Sequence, residues 1–233
     1  MLKRLATALL TGFVLLASSS AEPIDIALFD IAPYASAGAD GRPKGLYVDL
    51  ATRVAKQAGL EPRIRLVPFA RVAPSLGNGE ALLSISFATD ALNQVSRPLG
   101  TMLMVDSVLL NSRSRSARRV EDLAGFRIGR ARGGCQDLAS LPQPDFSLQD
   151  LSSFESGLRM LNLQRLDALC ATREVLQHYQ ALTALPPDRF GPVAVLSQRP
   201  ALLLVAKRAP PALATRLGTA LKSLQAEGGP ARD

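Results

Sequence analysis

Two hydrophobic periods alternate along this chain. From Pro23 the run "PIDIALFDIAPY" alternates apolar and polar residues and is β-branched early, which predicts a strand ending at Pro33-Tyr34. "ASAGADGRPKG" is turn chemistry, with Gly, Asp-Gly and Pro close together. The pattern then switches to helical spacing in "LYVDLATRVAKQAGL". Leu46, Leu50, Val54 and Ala58 share a face with Val48, Ala51 and Ala55, and Gly59 supplies the stop. "EPRIRLVPF" alternates again as a strand. "ARVAPSLGNGE" predicts a short helix broken by Gly77 and Gly79. "ALLSISFAT" reads as a buried strand and "TMLMVDSVLLN" as another.

The same alternation restarts after this point. "VEDLAG" predicts a small helical turn, "FRIGRA" a strand and "CQDLASL" a helix start. "FSLQDLSS" follows as a short strand, "FESGLRMLNLQ" as a helix, "LDALCA" as a strand and "REVLQHYQAL" as a helix. "PVAVLSQRPALLLVAK" returns as strand, and "PPALATRLGTALKSLQAEGG" closes the chain as an amphipathic helix. Pro210-Pro211 fits its start and Gly228-Gly229 its stop. Strands alternating with helices imply α/β architecture in two lobes. No fixed-period repeat stands out.

The first residues do not belong to that pattern. Lys3 and Arg4 precede an apolar run from Leu5 to Ala17, and Ser19-Ser20-Ala21 offers small residues before a cut. This predicts a cleaved secretory signal peptide over residues 1–21. The run is short of the roughly 20 residues of a membrane span, and no cysteine follows to suggest a lipid anchor. An uncleaved anchor is the alternative, which N-terminal sequencing of the exported protein separates.

Export changes how the remaining composition reads. Of 233 residues, 212 follow the leader, enough for one large or two small domains. Losing Lys3 and Arg4, with no acid beside them, lowers the formal charge from +7 to +5. The excess is scattered. Its one cluster, Arg113, Arg115, Arg118 and Arg119, reads as a solvated linker or domain face. No basic stripe is interleaved with aromatics, so nucleic acid is not an expected partner. Cys135 and Cys170 both lie in the exported part, where an even pair most simply means one disulfide. With one histidine, His178, no metal-ligand spacing exists, and no metal or cofactor is expected.

"GRARGGCQDL", Gly129 to Leu138, is the stretch that most invites a chemical reading. It lacks the terminal lysine and hydroxyl residue of a phosphate loop, since Cys135 and Gln136 stand there. A nucleophilic Cys135 would need a base. His178 lies within a predicted helix, away from the end of this strand.

Five motifs in order settle the family resemblance: "GLYVDLATRVAKQAG", "PFARVAPSLGNGEA", "VEDLAGFRIGRARGG", "SSFESGLRMLNLQRLDAL" and "LATRLGTALKSLQAEG". Together they resemble the periplasmic solute-binding proteins of the extracellular family 3 type, over nearly the whole exported chain. The resemblance implies the type II periplasmic-binding-protein fold, in which two lobes close about a hinge. Residues 22–112 plus 195–233 would form lobe 1, and residues 113–194 lobe 2. Two crossing strands near "SVLLNSR" and "AVLSQRP" would join them. In lobe 2, "FRIGRA" and "LDALCA" would be neighbours, which predicts a Cys135–Cys170 disulfide.

Ligands of open α/β sheets sit beyond the carboxyl ends of the strands. The expected contacts are therefore Asp30, Tyr34, Phe69, Arg71, Ser86 and Thr89 from lobe 1, with Arg132, Gly133, Gly134 and Thr172 from lobe 2. Arg71 and Arg132 would bring positive charge from opposite lobes. The alternative is that both lie on the surface and that Tyr34 packs in the core. Amino-acid binders of this type carry an arginine three residues after the threonine that Thr89 resembles. They also carry an aspartate at the position of Thr172. Leu92 and Thr172 stand there instead. A zwitterion would lose two charge-assisted hydrogen bonds, each worth about 1.5–3 kcal/mol. The expected ligand is a small polar or anionic organic solute, delivered to an ABC-type membrane transporter by a periplasmic monomer that is not an enzyme. Two alternatives remain. One is a binding-incompetent or sensory paralogue acting through a protein partner. The other is a dehydratase-like periplasmic enzyme, for which Asp30 and Asp90 are the carboxylates at the cleft mouth.

Overall fold

Ile24, Ile26, Ala27, Leu28 and Phe29 are all buried in the first strand, β1 (Glu22–Phe29). A strand this apolar needs cover on both faces and partners on both edges. It has them. β4 (Leu60–Val67) pairs with it in parallel along its full length, and β5 (Leu83–Phe87) pairs in parallel on the other side. The computed structural model describes residues 21–142 and 145–227. The expected signal segment and the Gly228-Gly229 stop lie outside the described residues.

Between these strands come a two-residue ribbon, β2 (Ser36–Ala37) with β3 (Pro43–Lys44), and the helix α1 (Leu46–Gln57). α1 buries Val48, Leu50, Ala51, Val54 and Ala55 as its spacing predicts, but Leu46, expected on the same face, is exposed at the helix start and Tyr47 is buried in its place. Asp49 in the first turn and Lys56 in the last complement its dipole. α2 (Val72–Asn78) follows a 3-10 turn at Phe69–Arg71, and α3 (Asp90–Val95) follows β5.

Three local expectations are corrected. β1 ends at Phe29 rather than at Pro33-Tyr34, because the chain turns through an isolated bridge between Ile31 and Ala35. Gly77 does not break α2. It lies inside the helix, where an added Cβ would sit 3.1 Å from Val95 Cγ1, so its smallness lets the helix pack against α3. Gly79, at φ 86°, is the stop. α3 was not expected from the pattern, being only six residues long. Its start is fixed by Thr89, whose hydroxyl oxygen accepts from the Leu92 N–H at 3.2 Å.

The second half repeats the scheme. β7 (Phe126–Ala131), α4 (Gln136–Ala139), β8 (Phe146–Leu151), α5 (Phe154–Asn162), β9 (Ala168–Thr172) and α6 (Arg173–Leu182) follow a 3-10 turn at Val120–Leu123. β7 pairs in parallel with β8 and β9. Two long strands, β6 (Ser96–Ser112) and β10 (Phe190–Ala206), pair antiparallel from end to end and carry the chain between the halves. The sheet order is β4-β1-β5-β10-β6-β9-β7-β8, so both lobes hang on one crossing ribbon. The C-terminal helix α7 (Pro211–Ala226) returns to pack on α1, burying Leu213, Leu217 and Leu221. Among the described residues, no helix is long and apolar enough to cross a membrane.

Asp167 ties β9 to β7. Its carboxylate accepts from the Arg127 backbone N–H at 2.8 Å and from Arg127 Nε at 3.1 Å, with Arg115 Nη1 at 3.7 Å. Partial burial alone would raise its pKa. The hydrogen bonds from Arg127 and the charges of Arg127 and Arg115 outweigh that and hold it below the ordinary carboxylate value. A carboxylate depressed on folding stabilises above its unfolded pKa, about 3.9, and loses that contribution as pH falls through the lower folded value. Asp167→Asn should therefore cost about 1 kcal/mol at neutral pH, reduced because Arg127 is half exposed. The difference from the parent should disappear in acid. Urea titrations across that range test it, and a pH-independent difference would count against the assignment.

Candidate functional site

The cleft is built where the two halves face each other across the ribbon. Its floor comes from lobe 1. Phe29 sits edge-on to Tyr34, Tyr47 and Phe69, with ring centroids 6.0, 5.4 and 5.3 Å away, and Phe87 lies at 6.1 Å. Tyr34 stacks on Tyr47 at 4.5 Å. The opposite wall comes from lobe 2: Ala131, Gly134, Cys135 and Gln136 after β7, Phe154 at the start of α5, and Cys170 to Thr172 at the end of β9.

Tyr34 crosses between the lobes. The Tyr47 N–H donates to the Tyr34 carbonyl at 2.8 Å, and the Leu46 N–H to the Pro33 carbonyl at 3.2 Å, so the first turn of α1 fixes this loop. Gly45 makes the approach possible. At φ 120° it is in glycine territory, and a Cβ there would meet the Tyr34 carbonyl oxygen at 2.6 Å. The Tyr34 hydroxyl donates to Glu174 Oε2 at 2.8 Å and lies 2.9 Å from Thr172 Oγ1, both in the opposite lobe. Burial drives the phenol pKa far up, the Thr172 hydrogen bond opposes this and Glu174 adds to it, so the group stays a neutral donor.

Two adjoining cavities open in the cleft. The inner one, of about 70 Å³, is lined mainly by Phe29, Phe69, Phe87, Val105 and Phe154, with polar atoms from Thr89, Ser107, Gln136, Thr172 and Arg199. The outer one, of about 230 Å³, shares Ile31, Phe69, Ala131 and Phe154 with it and reaches Asp30, Arg132 and Tyr179.

Of the residues expected from sequence, Tyr34, Phe69, Thr89, Gly134 and Thr172 line the inner cavity. Asp30 and Arg132 line the outer one, where Arg132 also pairs with Asp150 at 3.4 Å. Gly133, at φ 77°, lies where a Cβ would touch Phe69 and Ala70 of lobe 1, and it borders neither cavity. Ser86 is fully buried in β5 and Arg71 is exposed on the 3-10 turn. Both lie outside the two linings. Leu92 is buried in the core at 3% exposure. Cys135 and Cys170 form the expected disulfide, and both line the inner cavity.

Arg199 was missed. It comes from the middle of β10 rather than from a strand end, so a search of strand ends passes over it. The alternation in "SQRP" was the available signal, since it places Ser197 and Arg199 on one face. The Arg199 Nη2 donates to the Ala88 carbonyl at 2.9 Å, and Nη1 lies 3.3 Å from Asp137 Oδ1.

Two α/β lobes on a shared crossing ribbon, with a lined cleft between them, define a solute-binding architecture. The chain matches the model of the bacterial extracellular solute-binding proteins, family 3, over residues 27–231, and it belongs to that family. Members of this family are exported proteins that bind solutes. No curated protein matches the chain. Among solved structures, a mutant of the arginine-binding protein ArgBP from T. maritima superposes with a TM-score of 0.72 at 21% identity, covering 88% of this chain and 90% of that one. A histidine-bound substrate-binding protein of an ABC uptake transporter from Streptococcus pneumoniae gives 0.72 at 20% identity, covering 88% of each. An ancestral amino-acid-binding protein, AncCDT-1, described as a precursor of cyclohexadienyl dehydratase, gives 0.72 at 17% identity, covering 88% and 91%. At these identities the likeness establishes the shared fold.

Proposed function

We propose that this protein captures a small polar or anionic organic solute in the interlobe cleft of the periplasm and passes it unchanged to an ABC-type transporter, without the usual α-amino-acid clamp. The observation that carries this reading is the cleft itself, an aromatic-floored cavity contributed by both lobes. Leu92 and Thr172 support the second half of the statement. Leu92 is core, and Thr172 is engaged with Tyr34 across the cleft, so neither offers the charge that an α-carboxylate or α-ammonium would need. The lobe boundaries follow the ribbon: residues 22–112 with 195–233, and residues 113–194. Asp30 is exposed at the rim and Asp90 is exposed on α3, an arrangement that favours binding over acid–base chemistry.

A thermal-shift screen of organic acids, amino acids, polyamines and sugars tests this. A cognate solute at a hundred times its Kd should add about 2.7 kcal/mol, or roughly 5–10 °C in Tm. Mass spectrometry after long incubation should return it unaltered. Conversion to a product would move the reading to an enzyme, and a screen without a single shift would end it.

A further inference from the structure

The lining of the inner cavity carries one charged side chain, and its free donors point to the solute's chemistry. The inference rests on the cleft reading above. Among the described residues that line this cavity, Arg199 is the single cation, and no carboxylate lines it. β10 and β6 put the relevant groups on one face. Ser197 stands opposite Ser107 and Arg199 opposite Val105, with no irregularity between those pairs, and Val105, Ser107 and Arg199 all line the cavity.

A guanidinium carries five N–H donors. One of Arg199's donates to the Ala88 carbonyl, and Nη1 lies 3.3 Å from Asp137 Oδ1 as an ion pair, which leaves further N–H donors for a ligand. Asp137 lies outside the lining. Its other oxygen accepts from Ser197 Oγ at 2.9 Å, so this carboxylate braces the guanidinium from behind. The Thr89 oxygen already accepts from the Leu92 N–H, which leaves its hydroxyl proton to donate. The Ser107 hydroxyl adds a further donor. Apart from Gln136, Thr172, the Tyr34 hydroxyl and the disulfide, the rest of the lining is aromatic, aliphatic or glycine.

We propose that Arg199, with the Thr89 and Ser107 hydroxyls, anchors the carboxylate of a monocarboxylic acid that has no α-ammonium, its apolar body lying against Phe29, Phe69, Phe87 and Phe154. Arg199 is already ion-paired with Asp137, so its part is to offer N–H donors to the carboxylate rather than an uncompensated charge. Thr172 carries none of the charge an ammonium requires, and the Glu174 carboxylate beside it lies outside the lining and accepts from the Tyr34 hydroxyl.

Isothermal titration of the full exported chain with matched probes tests this: phenylacetate, phenylacetamide and L-phenylglycine, then isovalerate and L-valine. The acids should bind at least about tenfold tighter than the amide and the amino acids. Arg199→Gln should weaken the acids about 10- to 100-fold, the span of one or two charge-assisted hydrogen bonds, and weaken the amide far less. Because that variant strands Asp137, the double variant Arg199→Gln/Asp137→Asn repeats the test with the pair removed together, and the same selective loss is expected. Equal affinity of the acids for parent and variants, or tighter binding of an amino acid than of its matched acid, overturns the inference and leaves the cleft reading standing. Absence of binding by every probe also overturns it. Only if the broad screen fails as well does the solute-binding reading fall with it.

Discussion

Phe29→Ala should lose about 3–5 kcal/mol of stability, the largest effect expected from any single truncation in the cleft floor. Phe29 is 1% exposed and lies within 5.3 to 6.1 Å, centroid to centroid, of four other rings. Removing it deletes apolar burial and the edge-on contacts together, and the neighbouring rings are held by their own strands and turns, so collapse into the gap is limited. At roughly 2–4 °C per kcal/mol for a chain of this size, Tm should fall by about 6–20 °C. Phe29 also lines the inner cavity, so the hole opens onto the binding site. The variant should accept a bulkier solute than the parent. A loss below about 1 kcal/mol in urea unfolding would mean that the aromatic floor is not a packed unit.

Removing the disulfide as Cys135→Ser/Cys170→Ser should cost about 3–4 kcal/mol. The two cysteines are 35 residues apart, and closing a loop of that length restricts the unfolded chain by about that much. Native-state effects reach the cleft as well. Cys135 sits at φ 53°, in the left-handed region, just before α4, and the cross-link fastens that turn to β9. Loosening it frees Gly134 and Gln136, so solute affinity should fall along with stability. Thiol labelling of the unreduced, denatured protein should find no free cysteine, and labelling of both would refute the cross-link. Unfolding curves of parent and double variant that coincide under oxidising conditions would show that the bond contributes nothing.

The fold could be read from the chain because its two periods are clean. Val54 and Ala55 repeat with Ala51 at helical spacing, and the alternation through Ile24, Ile26 and Leu28 marks a strand whatever surrounds it. The short α3 escaped because six residues hold too little periodicity, and its one local signal is the Thr89 cap. Gly77 misled because a glycine's meaning depends on its φ and its neighbour: Gly79 ends a helix by turning left-handed, whereas Gly77 makes room for Val95. In the site, the strand-end rule found Tyr34, Phe69, Thr89, Gly134 and Thr172, because loops after parallel strands do converge on the cleft. It could not find Val105, Ser107 or Arg199. These lie in mid-strand on the ribbon between the lobes, where facing the cleft is a property of the sheet's register.

That ribbon also decides what stays still. Rotation of one lobe against the other has to be absorbed as bending of β6 and β10, since they carry both halves. Their pairing slips between Val195 and Ser197 and again between Ala201 and Leu202. Arg199 sits between these two irregular points. The Gly134–Gln136 wall borders the same cavity as Arg199, and Asp137, the next residue, is ion-paired with it at 3.3 Å. Held at once by the Ala88 carbonyl, just past β5, and by Asp137 of α4, Arg199 is a rivet that ties the two halves together at the ribbon.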